Sequence, residues 1–212
     1  LDRVIPMLPK ELSNGICSLN QKEDRFAITV LMEINQKGEV VSSDIQKSVI
    51  KVTRRMSYKE VQTILDEIEG AEDEGIFKPK AKQKLLKECE PYFEHFKRMA
   101  ELANILKQRR TKAGSLNLDI PESKITLDEQ GIAINVDKYE MYFANEIIEQ
   151  FMLTANETVA EKFYWLQVPF IYRVHETPDL EKVEELNKFL FNLGYKIRGV
   201  KNMGLLYEVG DI

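Results

Sequence analysis

The chain has 212 residues, 43% of them hydrophobic, which is enough to bury a core of single-domain size or slightly more and excludes a disordered chain. A formal net charge of -5, from 30 Lys and Arg against 35 Asp and Glu, excludes a uniformly basic protein that coats nucleic acid, so any contact with phosphate has to be local. Two cysteines, Cys17 and Cys89, sit in apolar stretches without metal-ligand spacing, and the absence of a long apolar run or a signal-type leader points to a reducing, cytoplasmic setting with no membrane contact.

The first stretch, VIPMLPKELSNGICSL from Val4 to Leu19, is the least ordinary. Pro6 and Pro9 fix φ and remove donors, so Ile5, Met7 and Leu8 cannot pair in a central strand and form a stiff irregular loop. Ser13, Asn14 and Gly15 supply turn chemistry before Ile16, Cys17 and Leu19 return to apolar surroundings. On the residues alone this is either a buried loop that closes a core or a loop that serves a site.

The run Asp2-Arg3-Val4-Ile5-Pro6-Met7-Leu8-Pro9, then Leu12-Ser13-Asn14 and Cys17-Ser18-Leu19, closely resembles a segment of the catalytic (RNB) domain of the ribonuclease R and ribonuclease II family. That resemblance implies a hydrolytic 3′-to-5′ exoribonuclease that uses magnesium and degrades single-stranded RNA. It also implies that Arg3 and Pro6 lie on a loop that follows the metal-binding aspartates and walls the RNA channel. The chain starts at Leu1 in the middle of this motif, which reads as an internal fragment.

From Asp24, RFAITVLMEI alternates Phe26, Ile28, Val30 and Met32 against Ala27, Thr29, Leu31 and Glu33, predicting a strand with one apolar face. Gly38 turns the chain, and Val41, Ile45, Val49, Ile50 and Val52 return it as a hairpin. Ser57 followed by Glu60 is a capping-box signal for a helix that ends at Gly70. After a charged surface connection over 71–80, Leu85, Leu86, Cys89, Tyr92, Phe93, Phe96, Met99, Ala100, Ala103 and Leu106 form an apolar stripe at helical spacing, interrupted at Pro91. It reads as core, with no cofactor.

Near Gly114 the helix stops after Lys107, Arg109, Arg110 and Lys112, a basic cluster that suits either the helix dipole or a phosphate. The resemblance makes Arg110 a candidate RNA contact, although Ala113 stands where relatives often carry arginine. Leu116, Leu118 and Ile120 alternate with Asn117 and Asp119 in a short strand that stops at Pro121; Ile125 and Leu127 resume it, and Asp128 to Gly131 turn into Ile132 to Val136. By resemblance this element approaches RNA, which makes Asn117 and Leu118 candidates. An aliphatic side chain at Leu118 forgoes the stacking an aromatic would supply there.

On a helical wheel of Tyr139 to Trp165 with Asn145 at about 0°, Ile147, Ile148, Phe151, Met152, Ala155 and Val159 fill the arc from about 200° to about 340°. Glu146, Gln150, Glu157 and Glu161 fall between about 100° and about 160°, the expected solvated face, while Asn145, Glu149 and Asn156 lie at the border near about 0° to 40°. Three polar groups beside a core need partners, either neighbouring loops or a sugar-phosphate chain. The resemblance assigns Glu149 and Asn156 to the RNA path, Glu149 also being the one candidate catalytic residue, and sets Gln150 where many relatives have a second glutamate.

After Pro169, FIYRVHETPD resembles a family strand carrying Arg173, a further RNA-binding candidate, and His175. A helix from Asp179 to Leu193, closed by Gly194, is predicted to turn Val183, Leu186, Phe189 and Leu190 to the core. The resemblance covers 1–200 as one partial RNB-type domain and leaves 201–212 as a tail. Family motifs for the metal-binding aspartates and for the arginines at the scissile phosphate are not found. The expectation is therefore magnesium held by the parent enzyme and not by this chain, no metal-ligand residues here, and no hydrolysis by the chain alone. A non-catalytic RNA-binding or protein-interaction module is the alternative. The expected fold class is α+β, a mainly antiparallel sheet packed against long helices, with exposed core surface that favours self-association.

Overall fold

A computed structural model describes residues 5–71, 76–115, 122–174 and 179–195. The elements in order are a π-helical segment Glu11–Ile16, strands β1 (Asp24–Ile34) and β2 (Val40–Lys51), helices α1 (Tyr58–Glu69) and α2 (Pro79–Cys89), a 3-10 turn Glu90–Tyr92, helix α3 (Phe93–Lys112), strands β3 (Ser123–Leu127) and β4 (Ala133–Lys138), and helices α4 (Phe143–Trp165) and α5 (Leu180–Asn192). The fold is α+β with both strand pairs antiparallel, as expected. Among the described residues the two hairpins do not join into one sheet: β1 pairs only with β2, and β3 only with β4.

Helix α1 starts where the sequence signals it. Ser57 Oγ accepts from Glu60 N–H and Glu60 Oε2 accepts from Ser57 N–H at 2.8 Å, and Gly70 closes the helix in the left-handed region at φ 67°. Arg54 ties this start to the end of α2 by donating to Glu60 Oε1 at 2.9 Å and to Glu88 Oε2 at 2.8 Å, over Cys89 Sγ at 3.5 Å. Burial alone would raise the Glu60 carboxyl, but the Ser57 N–H and the Arg54 guanidinium outweigh it and hold it below the ordinary 4.5. Pro91 divides the long apolar stripe into α2 and α3, as its missing N–H requires.

The core lies between helices. Leu65, Ala100, Ala103 and Ile147 bring α1, α3 and α4 together, with Val61, Phe96, Met99, Phe143 and Phe151 around them. Ile64, Leu85 and Cys89 join α1 to α2, packed by Met56, Ile68, Phe77, Leu86, Phe93 and Phe96. The α2–α3 stripe is thus core, as its spacing predicts.

The tip of the β1–β2 hairpin is fastened across α3 and α4. Gly38 adopts φ 77° with its Cα so close to α3 that a Cβ would lie 3.1 Å from Ile105 Cγ2, and Arg109 donates to the Gly38 carbonyl at 2.9 Å. From α4, Lys162 donates to the Ser43 carbonyl at 2.9 Å, and Thr158 Oγ1 lies against Met32 Sδ at 3.4 Å.

Four expectations fail, each for lack of a neighbour. The prolyl loop is exposed along Ile5 to Leu12, with Met7 fully so, and Ile16, Cys17 and Leu19 are also exposed, so it is not a buried loop closing a core. Phe26 and Ile28 share the apolar face of β1 with Val30 and Met32 but are 92% and 74% exposed, because the helices cover only the tip half of the hairpin. Helix α5 forms as predicted, with Asp179 Oδ1 accepting from Glu181 N–H at 2.9 Å, yet buries no residue, and Leu186 and Phe189 are exposed. Residues 166–174 are not a strand.

Candidate nucleic-acid interface

Helix α4 presents the candidate residues, and its orientation differs from the wheel. The buried stripe is Ala144, Ile147, Gln150, Thr154 and Thr158, centred near about 200° and not at the midpoint of the apolar arc, about 270°. The threonines explain the rotation. Thr154 Oγ1 donates to the Gln150 carbonyl and Thr158 Oγ1 to the Thr154 carbonyl, both at 2.8 Å, so each satisfies its hydroxyl within the helix and packs as a small apolar surface. Gln150, expected on the solvated face, is 7% exposed with a buried Oε1 that has no partner among the described residues. Conversely, Ile148 and Met152, expected in the core, are exposed.

The outward strip of α4 is therefore Ile148, Glu149, Met152 and Asn156, about 12 Å long at 1.5 Å per residue. Glu149 and Asn156 make no hydrogen bond or ion pair with any described residue. Asn145 is different, since its Oδ1 accepts from Tyr142 N–H at 3.1 Å and starts the helix. Gln62 on α1 reinforces that start, its Oε1 accepting from Ala144 N–H at 3.1 Å. Of the three border residues, one is structural and two are free to meet a ligand.

The basic end of α3 is largely engaged. Arg110 pairs with Glu157 of α4 at 2.7 Å, Lys107 with Glu146 at 2.5 Å, and Arg109 holds the hairpin tip. Leu106, Arg109, Arg110, Ala113, Gly114, Ser115, Thr154 and Glu157 line an open cleft of about 390 Å³ between α3 and α4. Glu146 and Glu157, read as a solvated face, are thus the acidic halves of cross-helix ion pairs, a signal that a wheel of one helix does not carry. Pro6 is exposed on the prolyl arm, and Arg173 is exposed beyond α4 with no partner among the described residues. Arg3, Asn117, Leu118 and His175 lie outside the described residues, as do the strand expected over 116–120 and the tail from 201. A further signal missed in the sequence is the aromatic run at the end of α4: Phe163 stacks on Phe170 at 4.7 Å and Phe170 meets Tyr172 edge-on at 5.1 Å, while Tyr164 and Trp165 stay exposed.

Among the described residues, no three His, Cys, Asp or Glu side chains gather to hold a metal ion. No helix among the described residues is long and apolar enough to cross a membrane.

A model of the RNB domain matches residues 1–208. The chain is 40% identical over 199 residues to ribonuclease R of Thermotoga maritima, covering 93% of this chain and 26% of that protein. It is 39% identical to ribonuclease R 1 of Lactococcus lactis, covering 95% of this chain and 23% of that protein. Among solved structures, the apo form of Mycoplasma genitalium RNase R superimposes with a TM-score of 0.76 at 25% identity, over 94% of this chain and 29% of the other. The same enzyme in complex with ribose-methylated single-stranded RNA gives 0.73 at 26% identity, over 91% and 28%. The chain belongs to the RNB domain family and spans about a quarter of the length of the curated relatives it matches.

Proposed function

We propose that this chain lines part of the RNA path of a hydrolytic, magnesium-dependent 3′-to-5′ exoribonuclease acting on single-stranded RNA, and that by itself it binds RNA without cleaving it. The observation that carries the reading is the exposed α4 strip, where Glu149 and Asn156 stand without partners among the described residues, beside Ile148 and Met152. A carboxylate and an amide between apolar side chains suit a nucleoside: the polar groups accept from and donate to the ribose hydroxyl, and the apolar ones lie against sugar and base. Glu149 in this reading selects ribose through the 2′-hydroxyl, which it can only accept from. It has no counter-cation among the described residues, so it disfavours direct approach of a phosphate.

Phosphate neutralisation falls to the exposed Arg173 and to Arg110, whose Glu157 partner is itself largely exposed and easily exchanged for solvent. Arg3, Asn117 and Leu118 remain candidates by resemblance alone. Solved structures of the Mycoplasma genitalium relative in complex with ribose-methylated single-stranded RNA and with double-stranded RNA support an RNA ligand.

The test is the affinity of the chain for a 12-nucleotide RNA and its DNA counterpart at low salt. The expected result is tighter binding to RNA, a preference that Glu149→Ala reduces several-fold while leaving DNA affinity unchanged or improved. Equal affinity for both nucleic acids, unaffected by the substitution, would reject the assignment of the strip.

A further inference from the structure

The rotation of α4 about its own axis decides which side chains it shows, and its sequence does not favour the rotation observed. Centred on its apolar arc at about 270°, the helix would bury Ile148 and leave Gln150 outside. Centred near about 200°, it exposes Ile148 and Met152 and buries Gln150 with an Oε1 that has no partner among the described residues. Thr154 and Thr158 make that face tolerable because their hydroxyls bond back to the helix, but a satisfied threonine supplies no force that turns it.

The two cross-helix ion pairs supply it. Glu146 and Glu157 lie at about 100° and about 120° on the wheel, so in a helix centred at about 270° they would stand about 150° to 170° from the core and beyond the reach of α3. At the observed rotation they are about 80° to 100° from it, on the flank beside α3, where Lys107 meets Glu146 at 2.5 Å and Arg110 meets Glu157 at 2.7 Å. Lys107 and Arg110 are less than one turn apart on α3, yet they hold α4 at two points about 16 Å apart along its axis, which resists rotation over that whole length. The same rotation aims the exposed strip. Glu149 and Asn156, at about 40° and about 20°, lie about 160° to 180° from the core and so at the crest of the exposed face; a helix centred on its apolar arc would leave them on the flank, about 110° to 130° away.

We propose, on the assignment of that strip to RNA, that Glu146 and Glu157 are positioning residues: through Lys107 and Arg110 they hold α4 in the rotation that presents Glu149 and Asn156 to ribose. Each pair is partly exposed and weak alone. Weak terms suffice because neither face of α4 is decisively better. The observed one forgoes burial of Ile148 and Met152, while the other would pull Thr154 from the cleft it shares with Leu106 and Thr158 from Met32. Arg110 reaches Glu157 through Nη2, and a guanidinium carries further donors for a phosphate.

The test removes both charges with Glu146→Gln and Glu157→Gln in the full chain and reads two quantities. The first needs no RNA. In a Cys17→Ser background, a maleimide reports Ile148→Cys and Gln150→Cys in turn. Compared with the same cysteine beside intact glutamates, the double variant is expected to slow labelling of Ile148→Cys and to speed labelling of Gln150→Cys, each by about fivefold or more. A turn of the helix moves the two in opposite directions, whereas loosening of the fold speeds both. Unchanged rates, or faster labelling of both, overturn the proposal whatever the chain does with RNA. The second quantity is the affinity for a 12-nucleotide RNA against its DNA counterpart at low salt. Loss of two negative charges by itself tightens binding of both nucleic acids alike. The expected result is instead a several-fold fall in the preference for RNA, which the charge reversal Lys107→Glu with Glu146→Lys keeps and Lys107→Glu alone loses. A preference retained in the double variant overturns the proposal. If labelling moves as expected in a chain whose parent shows no preference for RNA, the assignment of the strip fails and the hold on α4 is upheld.

Discussion

Two isoleucines that the periodicity treats alike differ in what their removal costs. Ile64 is 0% exposed at the junction of α1, α2 and α3, whereas Ile28 is on the uncovered half of β1. Ile64→Ala removes three carbons, about 2.4 kcal/mol at about 0.8 kcal/mol per buried methylene. A cavity left among Leu85, Cys89 and the surrounding aromatic rings adds roughly 1 to 2 kcal/mol, for a total of about 3 to 5 kcal/mol. At about 2 to 4 °C per kcal/mol for a chain of this size, that lowers Tm by roughly 6 to 20 °C. Ile28→Ala in the isolated chain is expected to cost under about 0.5 kcal/mol. Urea unfolding followed by circular dichroism measures both. Equal costs, or a larger one for Ile28, would show that the hairpin base is covered within this chain and would refute the placement of the core.

Glu60 sets an acid limb of stability. Because its folded pKa is lowered, its contribution is full above the ordinary carboxylate value of 4.5 and is lost as pH falls through the folded value. Glu60→Gln should therefore lower stability at pH 7 and flatten its decline below pH 4.5, read from urea midpoints across pH; a parallel decline in both proteins would contradict the pairing with Arg54 and Ser57. A thiol reagent at pH 8 should modify Cys17, which is exposed, and spare Cys89, which is buried with its thiol pushed up by that burial; rapid modification of two thiols in the native chain would contradict the α1–α2 packing.

The local signals were legible wherever one segment contains its own explanation. Ser57 with Glu60, Gly70, Pro91 and Asp179 each set an element boundary through groups only a few residues apart, and the structure places them as the sequence does. Burial was legible only where the covering element is present. The alternation in β1 correctly sorts Phe26, Ile28, Val30 and Met32 onto one face, but it cannot say that α4 stops short of the first two. On α4 the wheel failed through Thr154 and Thr158, whose hydroxyls bond back to the helix and carry Gln150 inward with them. Glu149 and Asn156 stand out in the sequence because a polar residue at the border of an apolar stripe is unusual, and the structure leaves both exposed; Asn145 shared that signal, yet its Oδ1 accepts from Tyr142 N–H at the helix start.

The most direct test of the central claim incubates the purified chain with a 5′-labelled single-stranded RNA and magnesium, following complex formation and oligonucleotide length together. A retarded complex with the RNA at full length is the predicted result. Stepwise shortening from the 3′ end would contradict it, because it would require this chain to hold a hydrolytic metal centre that its described residues do not form.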